Sequence, residues 1–242
     1  MPTVDQILAI VGAAEGSFYS VGRSIDVRYR PSFANDKSGL SFGTFQFDVA
    51  TNTQGQIGFR NILRDGVAAK AIDQAASDRL YARASTRNAG AFMKAADKDT
   101  VTTLFSTATA KSIIDSLDRR RAVSEGANVE TMISQAALVW VTKKVIAAPI
   151  FTSGQASHLR LFAYLLANLN RYPANQSTFQ KWLQGETVKT LNAPVAGFQL
   201  AAPPTIDQMH TFFQSLRIWD GTQGKYQFLR DRLDPTLDRL LK

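Results

Sequence analysis

The run IVGAAEGSFYS, residues 10–20, carries one charge, Glu15, and glutamate occurs only four times in the 242 residues, elsewhere at 125, 130 and 186. Upstream, Val4, Ile7, Leu8 and Val11 recur at helical spacing. Glu15 falls one helical turn beyond Val11 and so on the same face as that apolar stripe. A carboxyl there stands where a helix would ordinarily carry Leu or Ala. Burial disfavours its charged form, and the negative end of the helix acts in the same direction. Two uses fit such a group. It can pair with an arginine, or it can be kept protonated to give its proton to a leaving alkoxide such as a glycosidic oxygen. Amphipathic helices also end in a polar residue where the core face meets solvent, so Glu15 alone does not choose between these.

The element that must position Glu15 is a helix over residues 3–15, with Thr3 as cap, Gln6 completing a capping box and Gly16 as the stop. Residues 17–48 have a different character. SIDVRYR alternates, and SGLSFGTFQFD combines two glycines with Phe42, Phe45 and Phe47. This reads as a small β-hairpin or irregular lobe, which faces the C-terminal end of the first helix if it folds back. Adjacent strand residues alternate between faces, so the three Phe are not expected on one side, and core is the expected place for each. Further helices are predicted near 55–64, 67–84, 88–96, 99–107, 109–122, 128–147, 156–171, 176–184, 205–216 and 222–241. The stretch NAPVAGFQLAAPPT, 192–205, is rich in Pro and Ala and reads as a connector before a final helical hairpin. The expected fold is mainly α (α+β) with one small β element near residues 25–48. It is read as a single domain over 1–242 with a helical C-terminal extension and a possible subdivision near 192–205.

Composition removes whole classes of chemistry. There is no cysteine, so disulfides, thiolate metal sites and thiol nucleophiles are excluded. The two histidines, His158 and His210, are far apart in sequence, which excludes a multi-histidine metal site or a helical HxxxH pair; a Ser–His–Asp triad stays formally open, but no GxSxG elbow is present. No metal and no cofactor are expected. No stretch approaches the about 20 apolar residues of a membrane span. The N-terminus has Asp5 where a signal peptide would carry Lys or Arg, and no signal peptide is read. The net charge of +8 serves solubility or an anionic partner such as nucleic acid, an anionic membrane or an acidic wall polymer. Arg119, Arg120 and Arg121 read as the end of a helix, where cations suit the dipole, rather than as a nucleic-acid patch.

The sequence AAEGS, followed about thirty residues later by SFGTFQ, resembles the lysozyme-like superfamily, especially lytic transglycosylases and phage endolysins. The matching residues are Glu15, Gly16 and Ser17, then Ser41, Gly43 and Gln46, and the resemblance covers roughly the first sixty residues. It implies Glu15 as general acid and later base. Ser41 and Gln46 would position the glycan or polarise its N-acetyl group, and Gly43 would permit close backbone approach. Gly43 also reads as a plain turn glycine, and Gln46 as an exposed strand residue. A hydrolase often uses a second carboxylate. Asp26 ranks first and Asp48 second; Asp36 sits in a turn and Asp48 also reads as a helix cap. Transglycosylases need no second acid, so hydrolysis and transglycosylation both stay open. Tyr19 and Tyr29 read either as platforms for a sugar ring or as half-buried tyrosines with bonded hydroxyls. Trp140, Trp182 and Trp219 lie in helical patterns and are expected in the core.

The resemblance implies a monomeric enzyme cutting the β-1,4 bond between N-acetylmuramic acid and N-acetylglucosamine in peptidoglycan. Its partners would be glycan strands and an anionic wall surface, with no nucleic acid. It would be made in a host cytoplasm and reach the wall by holin-type release or secretion. The alternatives are a chitinase- or chitosanase-type glycosidase, and a non-enzymatic basic helical protein that binds nucleic acid or another protein.

Overall fold

A computed structural model describes residues 1–15, 27–33, 38–142, 156–189, 194–195, 197, 205–216 and 223–242. In chain order these form α1 (Val4–Glu15), a 3-10 turn (Val27–Tyr29), β1 (Ser32–Phe33), β2 (Leu40–Phe42), β3 (Phe47–Asp48), α2 (Thr53–Ala68), α3 (Gln74–Ala84), α4 (Ala89–Phe92), α5 (Ala95–Phe105) and α6 (Ala108–Thr142). There follow α7 (Ala156–Arg171), a 3-10 turn (Pro173–Asn175), α8 (Gln176–Leu183), β4 (Val188–Lys189), β5 (Pro194–Val195), α9 (Ile206–Gln214) and α10 (Gln223–Leu240). The protein is mainly helical with a small antiparallel sheet, as its patterning predicts. None of the described helices is long and apolar enough to cross a membrane.

The chain packs as two compact units, one of Met1–Gly16 with Ala122–Lys242, the other of Ser17–Arg121. The connector read at 192–205 falls within the first unit. Most of that connector lies outside the described residues, but Pro194–Val195 pairs antiparallel with Val188–Lys189.

In the first unit α1 starts as predicted. Thr3 N–H donates to Gln6 Oε1 at 2.8 Å, and Gln6 N–H donates to Thr3 Oγ1 at 3.2 Å. Ile7, Ile10 and Val11 are fully buried, and α1 packs on α7 and α10. The central helix is α7, buried continuously from Leu161 to Leu169. Trp182 lies flat on Phe212, with ring centroids 4.1 Å apart, and Phe179 and Phe213 complete that aromatic core. Trp182 is thus a core residue; Trp219 and the Trp140 side chain lie outside the described residues.

Two predicted helices, 109–122 and 128–147, are one helix, α6. Arg119, Arg120 and Arg121 therefore sit inside a helix of 35 residues and do not close one. Gly126 lies in the gap between the two predicted helices. Its lack of a side chain lets α1 approach: a Cβ there would lie 2.6 Å from Ile7 Cδ1. Close packing offsets the about 1 kcal/mol that glycine costs in a helix.

In the second unit the sheet order is β1-β2-β3, all antiparallel, with Ser41 opposite Asp48 and Phe42 opposite Phe47. Within the alternating stretch SIDVRYR, Val27–Tyr29 forms a 3-10 turn, the irregular part of this lobe. Phe42, Phe45 and Phe47 are all buried, at 0%, 6% and 2% exposure. Phe45 sits in the turn and so escapes strand alternation, while Phe42 and Phe47 are cross-strand partners. Phe42 meets Phe105 edge-on at 5.3 Å, and Phe59 joins them. The predicted helix 67–84 is broken. Ala71 and Ile72 N–H groups turn back to Gly66 O, and Asp73 then caps α3 by accepting from Ala76 N at 2.7 Å.

Candidate functional site

Glu15 ends α1 in the first unit, and its side chain is 14% exposed. Of the two uses foreseen for it, the structure supplies a partner. Glu15 Oε1 accepts from Asn170 Nδ2 at 2.8 Å and lies 3.5 Å from Arg171 Nε. The same arginine donates from Nη2 to Ala14 O at 2.6 Å. A helix C-terminus leaves carbonyls without intrahelical partners and carries partial negative charge. Arg171 satisfies one of those carbonyls and neutralises that end. Gly16, the expected stop, lies outside the described residues, so the described closure of α1 is this guanidinium from the end of α7.

The other expected motif belongs to the second unit. Ser41, Gly43, Gln46 and Asp48 come together on β2, β3 and the turn between them. Gly43 has φ +75° and Gln46 φ +52°, so this is a turn that needs left-handed backbone twice. At Gly43 a Cβ would meet the Phe47 ring at 3.0 Å and Asp118 Oδ1 at 3.1 Å. Gln46 closes the turn twice over: its N–H donates to Gly43 O at 3.2 Å and its Nε2 at 2.9 Å. Gln46 is half-buried rather than on an exposed strand. Among the described residues its Oε1 has no partner, and neither does the hydroxyl of Ser41, a residue only 7% exposed.

Asp48 organises the lobe. Its Oδ1 accepts from Gly39 N and Ala50 N, both at 2.9 Å, and its Oδ2 from Thr51 Oγ1 at 2.8 Å. The cap of α2 is Asn52, which accepts from Gly55 N at 2.9 Å, and not Asp48. Tyr29 takes the second of its two expected forms. It is 9% exposed, its hydroxyl donates to Asp115, and Arg28 and Lys111 approach its ring at 4.6 and 5.6 Å. Asp26, Asp36, Tyr19 and Ser17 lie outside the described residues.

Sequence reasoning missed Asp118. It is fully buried, and the Thr44 N–H donates to both its oxygens at 3.0 Å while Phe45 N–H donates to Oδ1 at 3.3 Å. This one carboxylate fixes the Gly43–Gln46 turn to α6. Burial raises its pKa above the ordinary carboxylate value, and the Thr44 and Phe45 amides and the Arg28 charge oppose that rise without cancelling it. The signal was present. Ala110, Ile114, Asp118 and Ala122 recur every four residues and all are buried, the same stripe logic that singles out Glu15.

The first unit holds a second buried polar cluster. Asp234 accepts from the Tyr164 hydroxyl at 2.7 Å and lies 3.3 Å from His210 Nε2, while His210 Nδ1 meets the Tyr226 hydroxyl at 2.7 Å. Desolvation lowers the His210 pKa, against the pull of Asp234, and raises both tyrosines. His158, buried on α7, contacts Glu130 at 3.1 Å. Compared with known protein families, curated proteins and solved structures, the chain matches none.

Proposed function

We propose that the protein is a peptidoglycan-degrading glycosidase in which Glu15 is the general acid and base. The observation that carries this reading is the setting of Glu15: a mostly buried carboxyl at a helix end, oriented by the Asn170 amide, which donates to Oε1 at 2.8 Å. A proton donor must be fixed to within hydrogen-bond tolerance of the oxygen it serves, and side-chain anchors of this kind provide that. The open Ser41 hydroxyl and Gln46 carbonyl support the reading, because N-acetylated sugars present both hydroxyls and amide N–H groups. Ser41, Gly43 and Gln46 are assigned to glycan binding. The bond cut is the β-1,4 link between N-acetylmuramic acid and N-acetylglucosamine. The enzyme acts on the wall after release or secretion from the cytoplasm that makes it. A net charge of +8 suits an anionic wall.

The Arg171 contact gives the opposing reading a concrete form, a clasp between the ends of α1 and α7 with no catalytic duty. Glu15→Gln separates the two. Gln keeps the Asn170 bond and the shape but cannot donate as an acid. Lysis of outer-membrane-permeabilised Gram-negative cells should fall at least about a hundredfold, the low end for loss of a general acid. The melting temperature should drop by no more than about 4 °C, since an ion pair of this exposure contributes about 1 kcal/mol. Undiminished lysis with a large drop in melting temperature would establish the clasp instead.

A further inference from the structure

A cavity of about 510 Å³ opens between α2 and α3, wholly inside the unit Ser17–Arg121. Arg60, Asn61 and Arg64 line it from α2, and Ser77, Asp78 and Tyr81 line it from α3. Both helices are firmly capped, by Asn52 and Asp73, so the walls are rigid elements rather than loops.

Most hydrogen-bond donors of these walls have no partner among the described residues. Asp78 is engaged by Gln74 Nε2 at 2.8 Å. The Arg60 guanidinium lies over the Tyr81 ring at 4.4 Å, and Tyr81 in turn stacks on the buried Phe59. Arg60 is therefore pre-oriented while its N–H edge stays uncommitted. The Arg64 side chain is 73% exposed, and its contact with its neighbour Asp65 is a loose one of 3.8 Å. The Asn61 amide and the Tyr81 hydroxyl have no partner among the described residues. Nor does the hydroxyl of Ser77, although that residue is only 8% exposed.

Two guanidiniums, two amides and two hydroxyls, set beside the apolar Leu63 and Val67, form a donor-rich surface with one carboxylate. Guanidinium pairs recognise the oxygens of carboxylate or phosphate. Hydroxyls and amides recognise the hydroxyl and acetamido groups of a sugar. The electrostatics of the unit agree. Ser17–Arg121 holds 16 of the 28 Lys and Arg but 10 of the 20 Asp and Glu, a net +6 of the total +8. It contains none of the four glutamates.

We propose that the α2–α3 cavity binds a sugar bearing an oxyanion. Arg60 and Arg64 hold the oxyanion, and Asn61, Ser77, Asp78 and Tyr81 hold the ring substituents. The choice of wall sugars as natural ligands rests on the glycosidase reading; the site itself does not. It shares no residue with those assigned to glycan binding in this unit, on the β2–β3 turn, and serves retention on an acidic strand.

The test is amide chemical-shift mapping of the full chain with four probes: N-acetylmuramic acid, N-acetylglucosamine 1-phosphate, neutral N-acetylglucosamine, and inorganic phosphate. Either charged sugar should shift amides of α2 and α3, and comparing the two identifies carboxylate or phosphate as the preferred oxyanion. The neutral sugar and inorganic phosphate should each bind about tenfold more weakly, as expected for losing one charge-assisted contact or the ring contacts. Arg60→Ala and Arg64→Ala, both exposed and away from the core, should each weaken the charged sugar by about tenfold. Absence of shifts in α2 and α3 would overturn the proposal. So would equal binding of the neutral sugar or of bare phosphate, or binding indifferent to both arginine variants. Glu15→Gln should leave this binding intact. If that variant also clears walls like the native protein, the acid assignment fails and the α2–α3 site stands.

Discussion

Asp118→Asn keeps the outline of the side chain but places an NH2 group where the Thr44 amide already donates to both oxygens. The variant should therefore loosen the Gly43–Gln46 turn, and wall-clearing activity should fall more through KM than through kcat if that turn binds glycan. The pH dependence has a definite sign. The native pKa of Asp118 is raised above the unfolded value of 3.8, so the native state holds the proton more tightly. The stability it contributes is fully present below 3.8 and is lost as pH rises through the native value. The difference in melting temperature between native protein and Asp118→Asn should shrink as pH rises from 3.5. A difference that grows over that range would contradict the assignment. At the other anchor, Arg171→Ala removes the α1 end cap and leaves Glu15 without its cation. It should cost about 1–2 kcal/mol, read from chemical unfolding of the full chain. Glu15 and Asp118 are both legible in sequence, as acids on apolar stripes. Asn170 and Arg171 are not legible as their partner and cap, because Asn170 lies 155 residues from Glu15 and only tertiary packing brings the two together.

Among the helices, α6 is the informative one. It runs unbroken through Gly126, a residue of low helix propensity in the gap between the two predicted helices. A methyl at that position meets only the flexible end of Ile7, but a β-branched side chain has no such relief. Gly126→Val should destabilise the protein by about 1–3 kcal/mol through overpacking. Shortening the opposing side chain, as in Gly126→Val with Ile7→Ala, should recover part of that loss in a double-mutant cycle. Purely additive effects would show that Gly126 serves some purpose other than the approach of α1. The opposite error occurred at 69–73, where apolar spacing runs through Ala68, Ala69 and Ala71 and hides the real break. Asp73 was the readable signal there, a cap residue followed by a new periodic run. Where a helix is punctuated by caps the sequence is easy to read, as at Thr3. Where punctuation is overridden by packing, it is not.

At the scale of the molecule, the two units carry buried titratable groups of opposite tendency. In the unit with Asp118, acid favours the native state at that carboxyl. In the unit with His210, burial lowers the imidazole pKa below its ordinary 6.5, so the unfolded chain binds that proton more readily. Stability from this group is fully present above 6.5 and is lost as pH falls through 6.5 toward the native value. The advantage of native protein over His210→Gln in melting temperature should therefore shrink between pH 7.5 and 5.5; an advantage that grows on acidification would contradict it. The division into units was not legible from the chain, because one of them joins the first helix to residues 122–242. Composition marks linkers between contiguous domains, whereas here the joining is done by α1 packing on α7 and α10. The class of fold, the sheet around residue 40 and most helix positions followed from periodicity alone.

The most direct test of the account is mass spectrometry of the soluble fragments released from purified peptidoglycan by native protein and by Glu15→Gln. The account predicts disaccharide-containing muropeptides from the native protein, ending in either reducing or 1,6-anhydro muramic acid, and essentially none from the variant. Native protein that releases no muropeptides, or a variant that releases the same products at the same rate, would contradict it.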